Sequence, residues 1–201
     1  MTSGALVLID LQKDVLYSRP VLKALAEETK VVENCAAAAG HARDIGLRVV
    51  YVKVLRRANE ADRVVNDTDL EAKLRERGKS TPMTCVEGTE GAELVDGLRV
   101  LPEDLVVVKR RRSAFNGTDL DWLLRRLGIS TLVVGGVATN WGVESTLRDA
   151  YDLGYNLRVL PECCCGFNTE DHDWAVQRIF PNMSRVRSLS AFREATSADE
   201  C

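Results

Sequence analysis

The chain has 201 residues, 45% of them hydrophobic, enough for one sizeable core. The simplest division is a single domain over 1–195 with a polar, frayed tail at 196–201. A formal net charge of −3, from 27 basic and 30 acidic residues, leaves no basic surplus to hold nucleic acid or an anionic membrane surface. No apolar run approaches the ~20 residues of a membrane span. The opening Met1-Thr-Ser-Gly-Ala5 runs straight into a strand without a basic segment and cleavage site. A soluble, cytoplasmic protein is expected.

Six cysteines, Cys35, Cys85, Cys163, Cys164, Cys165 and Cys201, form no spaced disulfide framework. The adjacent ones cannot easily bridge one another, and neither histidine, His41 or His172, lies at zinc-ligand spacing from them. Reduced, mostly buried thiols are expected, with no metal and no cofactor.

In chain order, Ala5 to Ile9 is a short continuous apolar run, the mark of a strand buried on both faces. It ends at Asp10, followed by Leu11-Gln12-Lys13-Asp14. A carboxylate at the carboxyl end of such a strand stands where open α/β sheets bind ligands, although the same residue type also caps turns. A long helical pattern spans 22–46, with Leu25, Val32, Cys35, Ala36 and Ala39 on one face and Gly46 closing it. A second strand covers 47–54. Arg56 and Arg57 follow, either as a solvated basic loop or as contacts for an anionic substrate. The segment 56–100 is polar, with one helix predicted over 69–76. Another begins at Thr89 or Gly91 in Gly88-Thr-Glu-Gly-Ala-Glu-Leu-Val95, and the long loop before it is suited to cover a site.

Leu105 to Val108 is a third buried strand delivering Lys109, then Arg110, Arg111, Arg112 and Ser113-Ala114-Phe115. Lys109 stands at the same sheet edge as Asp10, where each charge favours the other; a lysine in that place can also snorkel outward. The three arginines add positive charge that weakly favours a carboxylate-bearing substrate. Thr118 caps a helix running to Leu127. A fourth strand at 131–134 breaks at Gly135-Gly136 and turns through Val137, Ala138, Thr139, Asn140 and Trp141. The next helix carries Val143, Thr146, Leu147 and Ala150 on one face. The N–H groups of such a turn, with the positive end of the helix dipole, stabilise oxyanions, carboxylates or phosphates. A fifth strand spans 156–160, a helix 171–179, and Val186 lies in a last short strand. Strands alternating with helices predict a mostly parallel sheet covered on both faces, a three-layer α/β/α sandwich.

Three segments carry a resemblance. Leu6 to Asp14 matches L-[LV]-[VI]-I-D-[MLV]-Q-x-[DG] at every position but Leu8; Lys109, Ser113, Ala114 and Phe115 match K-x-x-x-S-A-F; Gly136, Val137, Thr139, Val143, Thr146 and Arg148 match G-[VI]-x-T-x-x-C-V-x-x-T-x-R. With Gly88 to Leu94 beside them, these resemble the isochorismatase-like hydrolases, a family of cysteine hydrolases that includes nicotinamidases and N-carbamoylsarcosine amidase. The likeness covers about residues 5–190. It implies the isochorismatase-like fold with a cis peptide at Val137–Ala138, and Asp10 and Lys109 as the catalytic carboxylate and its partner. Gln12, Phe115, Val137, Ala138, Thr139, Asn140 and Trp141 then line the oxyanion and substrate site. By the same analogy the protein is a homo-oligomer, dimer or tetramer, acting on a small molecule.

The departure is Gly142, which stands where the family keeps its nucleophilic cysteine. Glycine retains an N–H but no nucleophile, and no histidine base is evident beside Thr139, Ser145 or Cys163. Isochorismatases of phenazine and siderophore biosynthesis work on vinyl ethers without a cysteine, using the aspartate as a general acid, and the phenazine type is similar in having glycine here. The Ala138-Thr139-Asn140 turn, however, follows the amidase branch rather than the Y-A-H of isochorismatases. The expectation is a cysteine-independent hydrolase or lyase of a small anionic metabolite. The alternatives are a catalytically silent member, or a nicotinamidase- or ureide-type amidohydrolase with its nucleophile replaced.

Overall fold

A computed structural model describes residues 3–64, 66–80, 82–197 and 200. Met1, Thr2 and Cys201 lie outside them, with Ala198 and Asp199 of the tail. Alternate residues of strand β1 (Ser3–Ile9) feed two separate cores. Leu6 and Leu8 join one, Ala5, Val7 and Ile9 the other, and all five are fully buried. A strand apolar on both faces belongs in the middle of a covered sheet. β1 pairs in parallel with β2 (Arg48–Val54) on one side and β4 (Ile129–Val137) on the other. The six strands run in the order β3-β2-β1-β4-β5-β6, with β3 at Leu105–Lys109, β5 at Asn156–Cys165 and β6 at Arg185–Val186.

Helices α1 (Lys13–Tyr17), α2 (Pro20–Glu28), α3 (Val31–Asp44) and α8 (Leu189–Glu194) close the first core. Helices α5 (Leu120–Arg126) and α6 (Glu144–Asp152), with Ala175 and Phe180, close the second. Helix α4 (Asp69–Glu76) buries nothing, and α7 (Thr169–Trp174) packs on the turn after β4. The result is the expected three-layer sandwich.

The structure departs from the sequence pattern at four places. The 22–46 helix is two, separated at Lys30, whose φ of 54° is left-handed. No glycine or proline marks this break; Asn34 Nδ2 secures it by donating to Thr29 O at 3.1 Å and Glu162 O at 2.8 Å, satisfying a carbonyl left over at the end of α2. Strand β4 does not stop at Gly135-Gly136 but continues to Val137. A Cβ at Gly136 would lie 2.2 Å from Ile9 O, so here glycine admits a neighbouring backbone rather than ending the strand. Strand β5 runs five residues past Leu160, through Pro161, because the β4–β5 register shifts between Val134 and Gly136 and leaves proline's missing N–H outside the ladder. Helix α8, too short to show periodicity, is held by buried Phe192 lying edge-on to His41 at 5.2 Å, while His41 Nε2 meets Ala195 O at 3.0 Å.

The chain leaves β1 toward β2 on one side, whereas β4 lies on the other. The connections following β1 and β4 therefore diverge, and the crevice between them is the topological switch point. Asp10 and the 138–142 turn both open there. Among the described residues no helix is long and apolar enough to cross a membrane.

Candidate active site

Asp10 follows the last residue of β1 with φ of 55°, a conformation non-glycine residues seldom adopt. Its N–H is anchored to Val52 O at 2.9 Å. The side chain turns into the crevice and pairs with Lys109, whose Nζ lies 2.7 Å from Oδ2. Lys109 ends the neighbouring-but-one strand and is 1% exposed; its Nζ also donates to Arg112 O at 2.5 Å. Asp10 is 8% exposed, and its Oδ1 is buried with no protein partner. Burial pushes the carboxyl up to about 6, against the pull of the ammonium. A fraction of this carboxyl is therefore protonated near neutrality, and Oδ1 carries no hydrogen bond from the protein.

Gly142 faces the pair. It lies in the π-helical turn Thr139–Val143, and a Cβ built on it would sit 3.1 Å from Asp10 Oδ2, 3.4 Å from Ile9 Cγ2 and 3.4 Å from Val137 O. The first of these is closer than ordinary contact, so the carboxylate rests where a side chain at 142 would need room. Gly142 O accepts from Thr146 Oγ1 at 2.7 Å, which fixes the turn to α6, and the Val137–Ala138 peptide is cis. Ala138 O receives the N–H groups of Trp141 and Val143 at 3.0 and 3.3 Å.

The other residues named by the resemblance divide. Trp141 borders the crevice, half-buried, with the Arg112 guanidinium carbon 3.9 Å above its ring and Phe167 edge-on at 5.5 Å. Thr139 is fully buried and its Oγ1 lies 2.8 Å from His172 Nδ1, so a histidine does stand beside this hydroxyl, from a helix too distant in sequence to suggest it. With no surface open to a substrate, the pair holds the turn in place. Asn140 reaches Asp171 Oδ2 at 3.3 Å. Gln12 is buried and has both amide hydrogens engaged, on Val54 O at 2.9 Å and Ala92 O at 2.8 Å, while its Oε1 accepts from Val54 N. It clamps backbone rather than reaching into the crevice. Phe115 turns away as well: its ring lies 5.6 Å from Tyr155, the residue before β5, at the opposite end of the sheet from Asp10.

The helix expected from Thr89 or Gly91 is one 3-10 turn, Glu90–Ala92, and its segment is tied to the chain that follows β1. Asp14 Oδ2 accepts from Cys85 N at 2.7 Å, and Gln12 pairs with Leu94. Buried Cys85 is the thiol whose charge balance includes Asp10. Burial first, then the Asp14 and Asp10 carboxylates, push it up to about 12, which leaves it a poor nucleophile. Cys163 is also fully buried. The five described cysteines are free thiols; Cys201 lies outside the described residues. Among the described residues no group of three or more His, Cys, Asp and Glu side chains is gathered to hold a metal.

The chain belongs to the isochorismatase family, whose isochorismatase domain matches residues 4–191. It is 33% identical over 191 residues, 95% of each chain, to the isochorismatase family protein YecD of Escherichia coli O157:H7. It is 33% identical over 177 residues to the ureidoacrylate amidohydrolase RutB of Methylorubrum extorquens, covering 85% of this chain and 71% of that one. An isochorismatase family protein from Burkholderia thailandensis superposes with a TM-score of 0.79 at 32% identity over 96% of both chains.

Proposed function

We propose that this chain is a cysteine-independent hydrolase of a small anionic metabolite, with Asp10 as general acid and base and Lys109 as its partner. The observation that carries this reading is the Asp10 carboxyl itself: buried, pushed up to about 6, with Oδ1 unpartnered, and facing a residue without a side chain. A carboxyl of that kind is protonated in a useful fraction of molecules near neutrality, as a general acid must be. On a vinyl ether, Asp10 delivers its proton to the enol carbon, leaving an oxocarbenium ion. Water adds to that ion and returns a proton to the Asp10 carboxylate. The hemiketal then collapses to a carbonyl compound and an alcohol, breaking the C–O bond. Lys109 keeps the conjugate carboxylate from becoming too basic, and the positive charge that develops on the substrate is offset by that carboxylate.

Amide or ureide hydrolysis through a thioester, the expected route of a cysteine relative, has no nucleophile at Gly142. A silent, ligand-binding member is the second reading, and the same glycine favours it. The test is a paired assay of the wild type and Gly142→Cys on isochorismate and on a panel of primary amides and ureides. Turnover by the glycine form, abolished in Asp10→Asn and declining as pH rises past about 6, is expected. Activity confined to the cysteine variant would refute the proposal in favour of a disabled amidohydrolase, and no turnover by either would favour the silent reading.

A further inference from the structure

Three consecutive arginines follow the residue paired with Asp10, and the structure gives them different surroundings. Arg110 is held by two acids, Asp62 at 3.2 Å and Glu87. Arg111 is exposed and turns its guanidinium back to Arg110 O at 2.9 Å. Arg112 is exposed as well, but it alone of the three lies on an aromatic face, 3.9 Å from the centroid of Trp141, and no acid within the described residues neutralises it. Its carbonyl is bonded by Lys109 Nζ, so its backbone is fixed to the Asp10–Lys109 pair. Trp141 in turn is the residue before Gly142.

A second cation repeats the pattern on the far side of the aromatic pair. Arg19 sits 4.7 Å over the ring of Phe167, again without an acid partner among the described residues, and Phe167 meets Trp141 edge-on at 5.5 Å. A guanidinium seated on a ring uses its face in that contact and leaves its in-plane N–H donors available, in the fork geometry that fits a carboxylate. The aromatic support also restricts the arginine's rotamers, lowering the entropy lost when an anion is bound.

We propose that Arg112, supported by Trp141, is the specificity-determining residue of this site. It binds the carboxylate of a planar, unsaturated substrate whose skeleton lies along the Trp141–Phe167 pair, with Arg19 placed for a second anionic group. The inference rests on the reading of the crevice as a substrate site, and it names the substrate class. It does not depend on Asp10 being the acid.

Binding rather than turnover tests it, with benzoate and benzamide as probes of equal shape and different charge. Titration calorimetry on the wild type and on Asp10→Asn is expected to give benzoate at least tenfold tighter than benzamide in both. Arg112→Gln should weaken benzoate by ten- to a hundredfold, the range for a lost charge-assisted pair, and leave benzamide unchanged. Arg112→Lys should recover only part of the loss, because an ammonium offers no fork, and Arg111→Gln should bind as the wild type does. Equal affinity for both probes, absence of benzoate binding, or undiminished binding by Arg112→Gln would each overturn the assignment. Loss of turnover in Asp10→Asn with benzoate binding intact would separate this inference from the catalytic one.

Discussion

Replacing Lys109 by methionine removes the ammonium 2.7 Å from Asp10 Oδ2 while keeping most of the buried side-chain volume. Asp10 titrates in the unfolded chain near the ordinary ~3.9 and in the folded protein at about 6. The folded state thus holds this proton more tightly, and stability from Asp10 is highest at low pH. It falls as pH rises from about 4 to about 6, by about 3 kcal/mol at ~1.36 kcal/mol per unit, and is level above that. Loss of an adjacent opposite charge raises a carboxyl by a further ~1–3 units. In Lys109→Met the decline therefore continues to about pH 7–9, adding about 1.4–4 kcal/mol of destabilisation that is absent near pH 5, where Asp10 escapes its isolation by protonating. Urea unfolding of both proteins at pH 5 and pH 9, followed by circular dichroism, measures this. A destabilisation of the same size at both values would show that Asp10 and Lys109 are not coupled as the geometry requires, and the acid role built on that coupling would fail with it.

Two further perturbations address the frame around the pair. A Cβ at Gly91 would fall 2.1–2.3 Å from the Asp14 carboxyl atoms, so Gly91→Ala must displace Asp14 from the Cys85 N–H. The expected loss is about 1–3 kcal/mol, with faster tryptic cleavage after Arg77 or Lys79 as the 82–95 segment loosens; an unchanged cleavage rate would mean that Asp14 does not latch it. His172 is driven by burial toward its neutral form. The stability it contributes is present above its unfolded value near ~6.5 and is lost as pH falls below it. Thermal melts of His172→Gln should therefore lose less on going from pH 7 to pH 5 than the wild type does. At pH 7 the variant should lie about 1–3 kcal/mol lower if glutamine fails to meet the buried Thr139 hydroxyl; a variant matching the wild type at both pH values would remove His172 from the support of the turn.

Sequence alone determined the strands of the sheet, most of the helices and the placement of the two charged residues of the candidate site. A continuous apolar run such as Ala5–Ile9 has no polar face to offer water, so it must lie mid-sheet, and whatever ends it is delivered to one edge; the same logic placed Lys109 after Leu105–Val108. Tertiary contact decided what local pattern cannot encode. Gly135 and Gly136 read as a break yet lie within a strand, because their small size answers to neighbouring strands: Cys163 of β5 crowds Gly135, and the backbone of Ile9, more than a hundred residues away, crowds Gly136. Gln12, Phe115 and Thr139 resemble ligand-facing residues, but their side chains are held by Val54 and Ala92, by Tyr155 and by His172. Likewise three successive arginines look alike in sequence. Only the fold sets acids beside Arg110 and an indole beneath Arg112, which no acid among the described residues neutralises.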